Sequence, residues 1–71
     1  MANKQKITIL RRWQVEAKTG LSRSTLYLFM DEGQFPRPIT LGVRSVGWVE
    51  SEIDSWLVDR IKNRDNKQEV T

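Results

Sequence analysis

Histidine and cysteine are both absent from the 71 residues. Without histidine, no side chain has an ordinary pKa near neutrality to act as a general base, and without either residue the common zinc sites cannot be assembled. No disulfide can form, so nothing argues for an oxidising compartment. Long apolar runs are missing too. None approaches the roughly 18 residues that a membrane span needs, and residues 1–5 are polar, without a secretory h-region. The expectation is a cytoplasmic protein. The chain is also short. It holds one domain, with no second lobe to form a deep substrate cleft, and a domain of this size buries only about 60% of its unfolded surface. These absences point away from an enzyme, a metal, a cofactor, a small-molecule ligand and a membrane.

What is present is an uneven charge. The net charge is +3. Residues 1–44 carry eight cationic side chains against three anionic ones, and residues 45–71 carry four against six. A polyanion is expected to approach the first two thirds of the chain.

Glycine and proline are few, and they punctuate the pattern. Residues 1–9 read as a flexible arm, with Ile7 and Ile9 as early apolar anchors. Residues 11–19 read as a short helix that turns Leu10 and Val15 inward and is stopped by Gly20. Ser22 is a candidate N-cap for a second helix that runs to about Glu32. Leu26, Phe29 and Met30 form its apolar stripe, and Leu21 sits where a hydrophobic staple would close on Leu26. Gly33 and Phe35-Pro36 end that helix, and Pro36 and Pro38 hold Arg37 extended between them.

Ile39-Thr40-Leu41 and Ser45-Val46-Gly47-Trp48-Val49 read as two strands joined through Gly42-Val43-Arg44. Such a hairpin is marginal alone and must pack on the helices. Glu50-Ser51-Glu52-Ile53-Asp54 opens a third helix, with Ser51 as cap and Asp54 as the acid of a capping box. Its buried face is expected to hold Ile53, Trp56, Leu57 and Ile61. Residues 64–71 read as a disordered tail, which leaves residues 10–63 as the domain. The fold class is therefore α+β and mostly α: a winged helix-turn-helix of three helices with a two-stranded hairpin as wing. The four-residue connection Thr19-Gly20-Leu21-Ser22 suits the turn between the first two helices.

In this arrangement Arg23, Ser24 and Tyr27 face outward from the first turns of the second helix, where a recognition helix meets base edges. The helix start at Ser22 is an anion site. Arg44 at the hairpin tip, flanked by Thr40 and Ser45, is placed for phosphates or a minor groove. Arg37, Arg11 and Arg12 are further phosphate candidates. Each of these residues, taken alone, is also an ordinary surface residue. Trp48 and Trp56 read as core. The phase of Trp13 leaves three roles open: core edge, dimer contact or DNA-facing residue. Glu50, Glu52 and Asp54 are explained by capping and by the helix dipole, not by a metal.

The blocks Thr19-Gly20-Leu21-Ser22-Arg23-Ser24-Thr25-Leu26-Tyr27, Gly33-Gln34-Phe35-Pro36-Arg37-Pro38-Ile39-Thr40-Leu41-Gly42, Arg44-Ser45-Val46-Gly47-Trp48 and Glu50-Ser51-Glu52-Ile53-Asp54-Ser55-Trp56-Leu57 together resemble the AlpA family of prophage regulators, from about Leu10 to Arg60. The resemblance implies a MerR-like, excisionase-like winged helix that activates an integrase gene or promotes excision as a recombination directionality factor. It lays the recognition helix on residues 22–32, the wing on residues 39–48, and DNA-facing positions on Arg23, Ser24, Tyr27, Arg37, Arg44 and Ser45. Two residues depart from the pattern. Leu28 stands where relatives often carry a basic residue, and Trp13 where a polar residue or proline is usual.

The expected partners are double-stranded DNA, further copies of the chain as a dimer or array on DNA, and integrase or RNA polymerase, with the protein nucleoid-associated. Two other readings stand beside this one. A protein-interaction module such as an anti-repressor would expose Trp13 beside Leu28 and lack a basic face around Arg23. A binder of single-stranded nucleic acid would expose Trp48 or Trp56 for stacking.

Overall fold

The computed structural model describes the backbone of residues 6–70 and the side chains of residues 6–66. Residues 1–5, most of the expected arm, lie outside the described residues, as does Thr71. The elements run β1 (Ile9–Leu10), α1 (Arg12–Thr19), α2 (Arg23–Asp31), β2 (Ile39–Gly42), β3 (Ser45–Val49) and α3 (Glu50–Val70). This is the expected α+β winged helix, with one strand more than the sequence reading allowed.

The added strand is β1. The sheet order is β1-β3-β2, with both pairings antiparallel. Ile9 pairs with Val49 and Leu10 with Trp48, so Ile9 belongs to the sheet and not to an arm. The physical reason is hydrogen bonding. Strand β3 lies at the centre of the sheet, and its second edge needs partners that the hairpin alone does not supply. On the other edge Thr40 pairs with Val46, and a register shift between Thr40 and Gly42 marks a bulge before the Val43–Arg44 turn.

The core is wholly apolar: Leu10, Val15, Leu26, Met30, Phe35, Trp48 and Ile53 are buried, and no polar or charged residue is buried among the described residues. Leu21, Phe29, Trp56 and Leu57 pack around this cluster. Phe35, which the sequence marked only as a helix break, is part of the core and meets Trp56 edge-on with ring centroids 4.8 Å apart. Both inner tryptophans satisfy their indole N–H groups on the connecting segment: Trp48 Nε1 donates to Pro36 O (3.1 Å) and Trp56 Nε1 to Gln34 O (2.7 Å).

Helix α3 departs from expectation in three ways. It begins at Glu50, directly after β3, so Ser51 lies within its first turn and not at the cap. The Glu50 N–H donates to Thr8 O (2.8 Å), and Asp54, assigned to a capping box, instead accepts an ion pair from Lys18 Nζ at 2.7 Å. Lys18 also reaches Glu50 Oε2 at 3.0 Å, which fastens α1 to the start of α3. Second, Ile61 is half exposed and lies outside the core. Third, the helix continues to Val70 where a tail was expected from residue 64. No glycine or proline interrupts residues 50–70, and Lys, Arg and Gln tolerate helical geometry well.

Two measurements probe this packing. A Cβ placed on Gly47 would run into Ile9 Cγ2 and sit 3.2 Å from both Leu10 O and Leu41 Cδ1. Gly47→Ala is therefore expected to lose about 1–3 kcal/mol in urea denaturation. The second concerns Lys18, whose pKa is raised by its hydrogen bonds to Asp54 and Glu50. The stabilisation from a raised lysine is complete below the ordinary lysine value of about 10.4 and is lost as pH climbs through the folded value. The melting temperature of the native chain is expected to fall in that alkaline range more than that of Lys18→Met, which already lacks the contact at neutral pH.

Candidate nucleic-acid interface

The turn between α1 and α2 is built from local hydrogen bonds. Gly20 adopts a left-handed conformation (φ 78°), and its N–H donates to Glu16 O at 2.8 Å. Only glycine takes this conformation without steric cost. Thr19 Oγ1 donates to Val15 O (2.8 Å) and accepts from the Leu21 N–H (3.2 Å). Ser22 then caps α2 as the sequence indicated: its Oγ accepts from the Thr25 N–H at 3.2 Å and donates to Thr25 Oγ1 at 3.0 Å. The first intrahelical bond runs from the Leu26 N–H to Ser22 O. The Arg23 and Ser24 N–H groups lie ahead of that bond, where helix-start amides are available to an anion.

Burial of Leu26 and Met30 fixes the roll of α2 and turns Arg23, Ser24, Tyr27 and Leu28 outward. The Arg23 guanidinium lies 5.8 Å from the centroid of the Tyr27 ring. On the wing, β2 is exposed along its length, Val43 at the tip is 99% exposed, and Arg44 projects beside it. Thr40 is exposed on β2, whereas Ser45 is half-buried.

Helix, wing and the start of α1 meet around one open hollow of about 290 Å³. Its lining is Arg11, Arg12, Trp13, Tyr27, Arg44 and Val46. The structure thus brings together four of the sequence candidates, Arg11, Arg12, Tyr27 and Arg44. Ser45 joins them through its Oγ, which accepts a long hydrogen bond from Arg11 Nη1 (3.3 Å). Ser22, Arg23 and Ser24 lie at the start of α2, outside the lining of the hollow. Arg37 is not brought to it. That residue lines a separate, broader hollow of about 810 Å³, together with Trp56 and the carboxylates Glu52 and Asp59.

Of the three roles the sequence left open for Trp13, core edge is excluded, since the residue is 66% exposed; Val46, 41% exposed, is a lining residue the sequence did not single out. The signal for Trp13 was its phase: it falls off the face set by Leu10 and Val15.

The ion pairs decide which of these charges is free. Arg12 Nε is held by Glu16 Oε2 at 2.9 Å, and Lys18 by Glu50 and Asp54. Among the described residues, Arg11, Arg23 and Arg44 have no carboxylate within ion-pair distance. Three cations therefore face solvent on the α2 and wing side, while Glu50 and Asp54 are engaged by Lys18. Among the described residues no cluster of three or more carboxylates is placed to hold a metal ion, and no helix is long and apolar enough to cross a membrane.

The cap offers a direct check. Ser22→Ala is expected to lower stability in urea denaturation by about 1 kcal/mol, and Ser22→Asp to retain it, because a carboxylate also accepts from the Thr25 N–H.

Comparison with known proteins bears on the family of the chain. The family model described as prophage CP4-57 regulatory protein (AlpA) matches residues 8–61. The chain is 43% identical over 68 residues to the DNA-binding transcriptional activator AlpA of Escherichia coli (strain K12), a match that covers 87% of this chain and 97% of that protein. It is 42% identical over 55 residues to the uncharacterized protein ORF88 of Enterobacteria phage P4, covering 78% of this chain and 62% of that protein.

Proposed function

The chain belongs to the AlpA family of prophage regulatory proteins, and from that premise we propose that it binds duplex DNA sequence-specifically and regulates transcription of a neighbouring integrase or excision gene. The observation that carries this reading is the shared solvent-facing side of α2 and the wing, where Arg11, Arg23 and Arg44 have no carboxylate partner among the described residues and Tyr27 lies between them in the fold. A relative that aligns over nearly its whole length bears the name of a DNA-binding transcriptional activator.

Each residue then has a role. Helix α2 enters the major groove. Arg23 reads a guanine through O6 and N7, and Ser24 and Tyr27 complete the base and phosphate contacts. Ser22 and the amides behind it hold a phosphate at the helix start. The wing brings Arg44 to the adjacent minor groove or its flanking phosphates, with Thr40 and Ser45 adding neutral hydrogen bonds. Arg11 is the main phosphate contact from the start of α1. Arg12 contributes less because Glu16 already engages it, and Arg37 contributes least because it sits apart, beside Glu52 and Asp59. A module this small binds weakly as a monomer, so it acts as a dimer or array on clustered sites, with integrase or RNA polymerase as the next partner. It works in the cytoplasm, at the nucleoid, and performs no catalysis.

The competing readings fare worse on the structure. Trp13 is exposed among arginines, and Leu28 does not line the same hollow, which is not the arrangement of a purely apolar docking patch. Trp48 is 1% exposed and Trp56 is half-buried with its indole N–H engaged, so neither is free to stack on single-stranded bases.

Selection of bound sites from random duplexes, with footprinting upstream of the neighbouring gene, tests the reading. The logarithm of affinity is expected to fall linearly with the logarithm of salt concentration. Arg23→Ala should relax preference at one base pair, at a cost of about 1–3 kcal/mol on the selected site. Arg44→Ala should weaken all sequences alike and reduce the salt slope by about one, and Arg37→Ala should change it little. Salt-insensitive binding, or none, would overturn the proposal.

A further inference from the structure

Trp13 is the large side chain that the proposed function leaves without a task. It is 66% exposed, on the second residue of α1, in the hollow that Tyr27 of α2 and Arg44 and Val46 of the wing also line. An aromatic ring held this open, outside the apolar core, contributes little burial to the fold. Its neighbours are cationic: Arg11 and Arg12 precede it in the chain, and Arg44 faces it from the wing.

The position of the hollow says what would cover the ring. A recognition helix in the major groove and a wing on the adjacent minor groove straddle one strand of the sugar–phosphate backbone, because that strand is the ridge dividing the two grooves. The hollow is the space between α2 and the wing. Its lining combines arginines with flat and apolar side chains. Arginines suit the phosphates, and the flat surfaces of Trp13 and Tyr27, with Val46, suit the apolar C–H faces of deoxyribose.

We propose that Trp13 packs on a deoxyribose of the backbone strand lying between helix α2 and the wing, as a non-ionic and sequence-independent anchor for the DNA complex. The inference rests on the proposed duplex binding and adds a contact that Arg11, Arg23 and Arg44 do not supply. A sugar contact releases no counterion. Its loss therefore lowers affinity without changing the salt dependence, which separates it from a phosphate contact by arginine. It also reads no base, which separates it from Arg23.

The experiment uses the full chain with two probes: a duplex recovered by selection and a fluorescein-labelled duplex of mixed sequence at low salt. Trp13→Ala is expected to weaken both by about tenfold and to leave the salt slope and the base preference unchanged. Trp13→Phe, which keeps part of the flat surface, should recover a portion of that loss. Intrinsic fluorescence gives a second readout, since Trp48 is buried and Trp56 has its indole N–H bonded to Gln34. DNA should change the emission of the native chain and shield it from iodide, and Trp13→Phe should abolish both effects.

Duplex binding that leaves emission unchanged, with Trp13→Ala as tight as the native chain, overturns this inference and spares duplex binding itself. A reduced salt slope in Trp13→Ala, or loss on the selected site alone, also overturns it. If neither probe binds, both proposals fall. Thermal melts of the variants show whether a loss of affinity reflects unfolding, and because Trp13 is exposed they are expected to match the native chain.

Discussion

The placement of Trp48 is the constraint on which the rest of the structure depends. Its backbone pairs with Leu10 on one edge of β3, and the ring fills the core beneath the helices at 1% exposure. Its indole N–H is satisfied by Pro36 O, so the same side chain ties the central strand to the segment arriving from α2. A buried indole donor left unsatisfied costs on the order of 1–3 kcal/mol, which makes this carbonyl a positional requirement for the Phe35-Pro36 crossing. With β3 fixed in this way, the hairpin projects from a defined place beside α2. The neighbouring Gly47 lets Ile9 and Leu41 close over the strand, where any side chain would push the two edges apart. The geometry between the wing and helix α2 therefore follows from two adjacent residues of one strand.

A domain this small has little burial with which to offset an interface that is unfavourable to the free fold. Placing several like charges on one side raises the self-energy of the compact state. The chain limits that burden by how it spends its acids. Glu16 screens Arg12 within α1, and Glu50 and Asp54 converge on Lys18, so the contacts that lock α1 to α3 also neutralise one of the cations of α1. The exposed Arg12–Glu16 pair adds little to stability by itself. Its larger effect is to leave Arg11 as the free charge at the start of α1, within reach of the wing through Ser45.

Much of the fold was legible because its signals are local. The Gly20 turn, the Ser22 cap and the Leu26–Met30 stripe each lie within a few residues, and each emerged in the structure as read. What sequence could not show was long-range. A two-residue strand is too short for alternation, so Ile9 and Leu10 looked like anchors and not like the third strand. Asp54 satisfied a local capping rule, yet a lysine thirty-six residues away claimed it. Phe35 read as punctuation because the adjacent proline dominates the local pattern, although its ring is in the core. At the candidate site, residue types and exposure were readable, but grouping was not. Arg37 and Arg44 were both phosphate candidates, and only the fold separates them into different hollows, one acidic and one basic.

The same separation bears on how the protein would meet a polyanion. The acidic residues of α3 lie in a body that extends 47 × 36 × 20 Å, whereas charges in physiological salt are screened over about 8 Å. Glu52 and Asp59 line a different hollow from Arg11 and Arg44, and a carboxylate farther off than the screening length does not cancel the field of an arginine at contact. They oppose approach from their own side, because a phosphate backbone meeting Glu52 and Asp59 is repelled within the same screening length at which the arginines attract it. The modest net charge of +3 is thus a poor guide to the encounter. A weak monopole with segregated charges orients such a chain in the field of a polyanion, with the side bearing Arg11, Arg23 and Arg44 turned toward it. Orientation of this kind raises the fraction of encounters in which the arginine-bearing side meets a polyanion first, without requiring a large net charge.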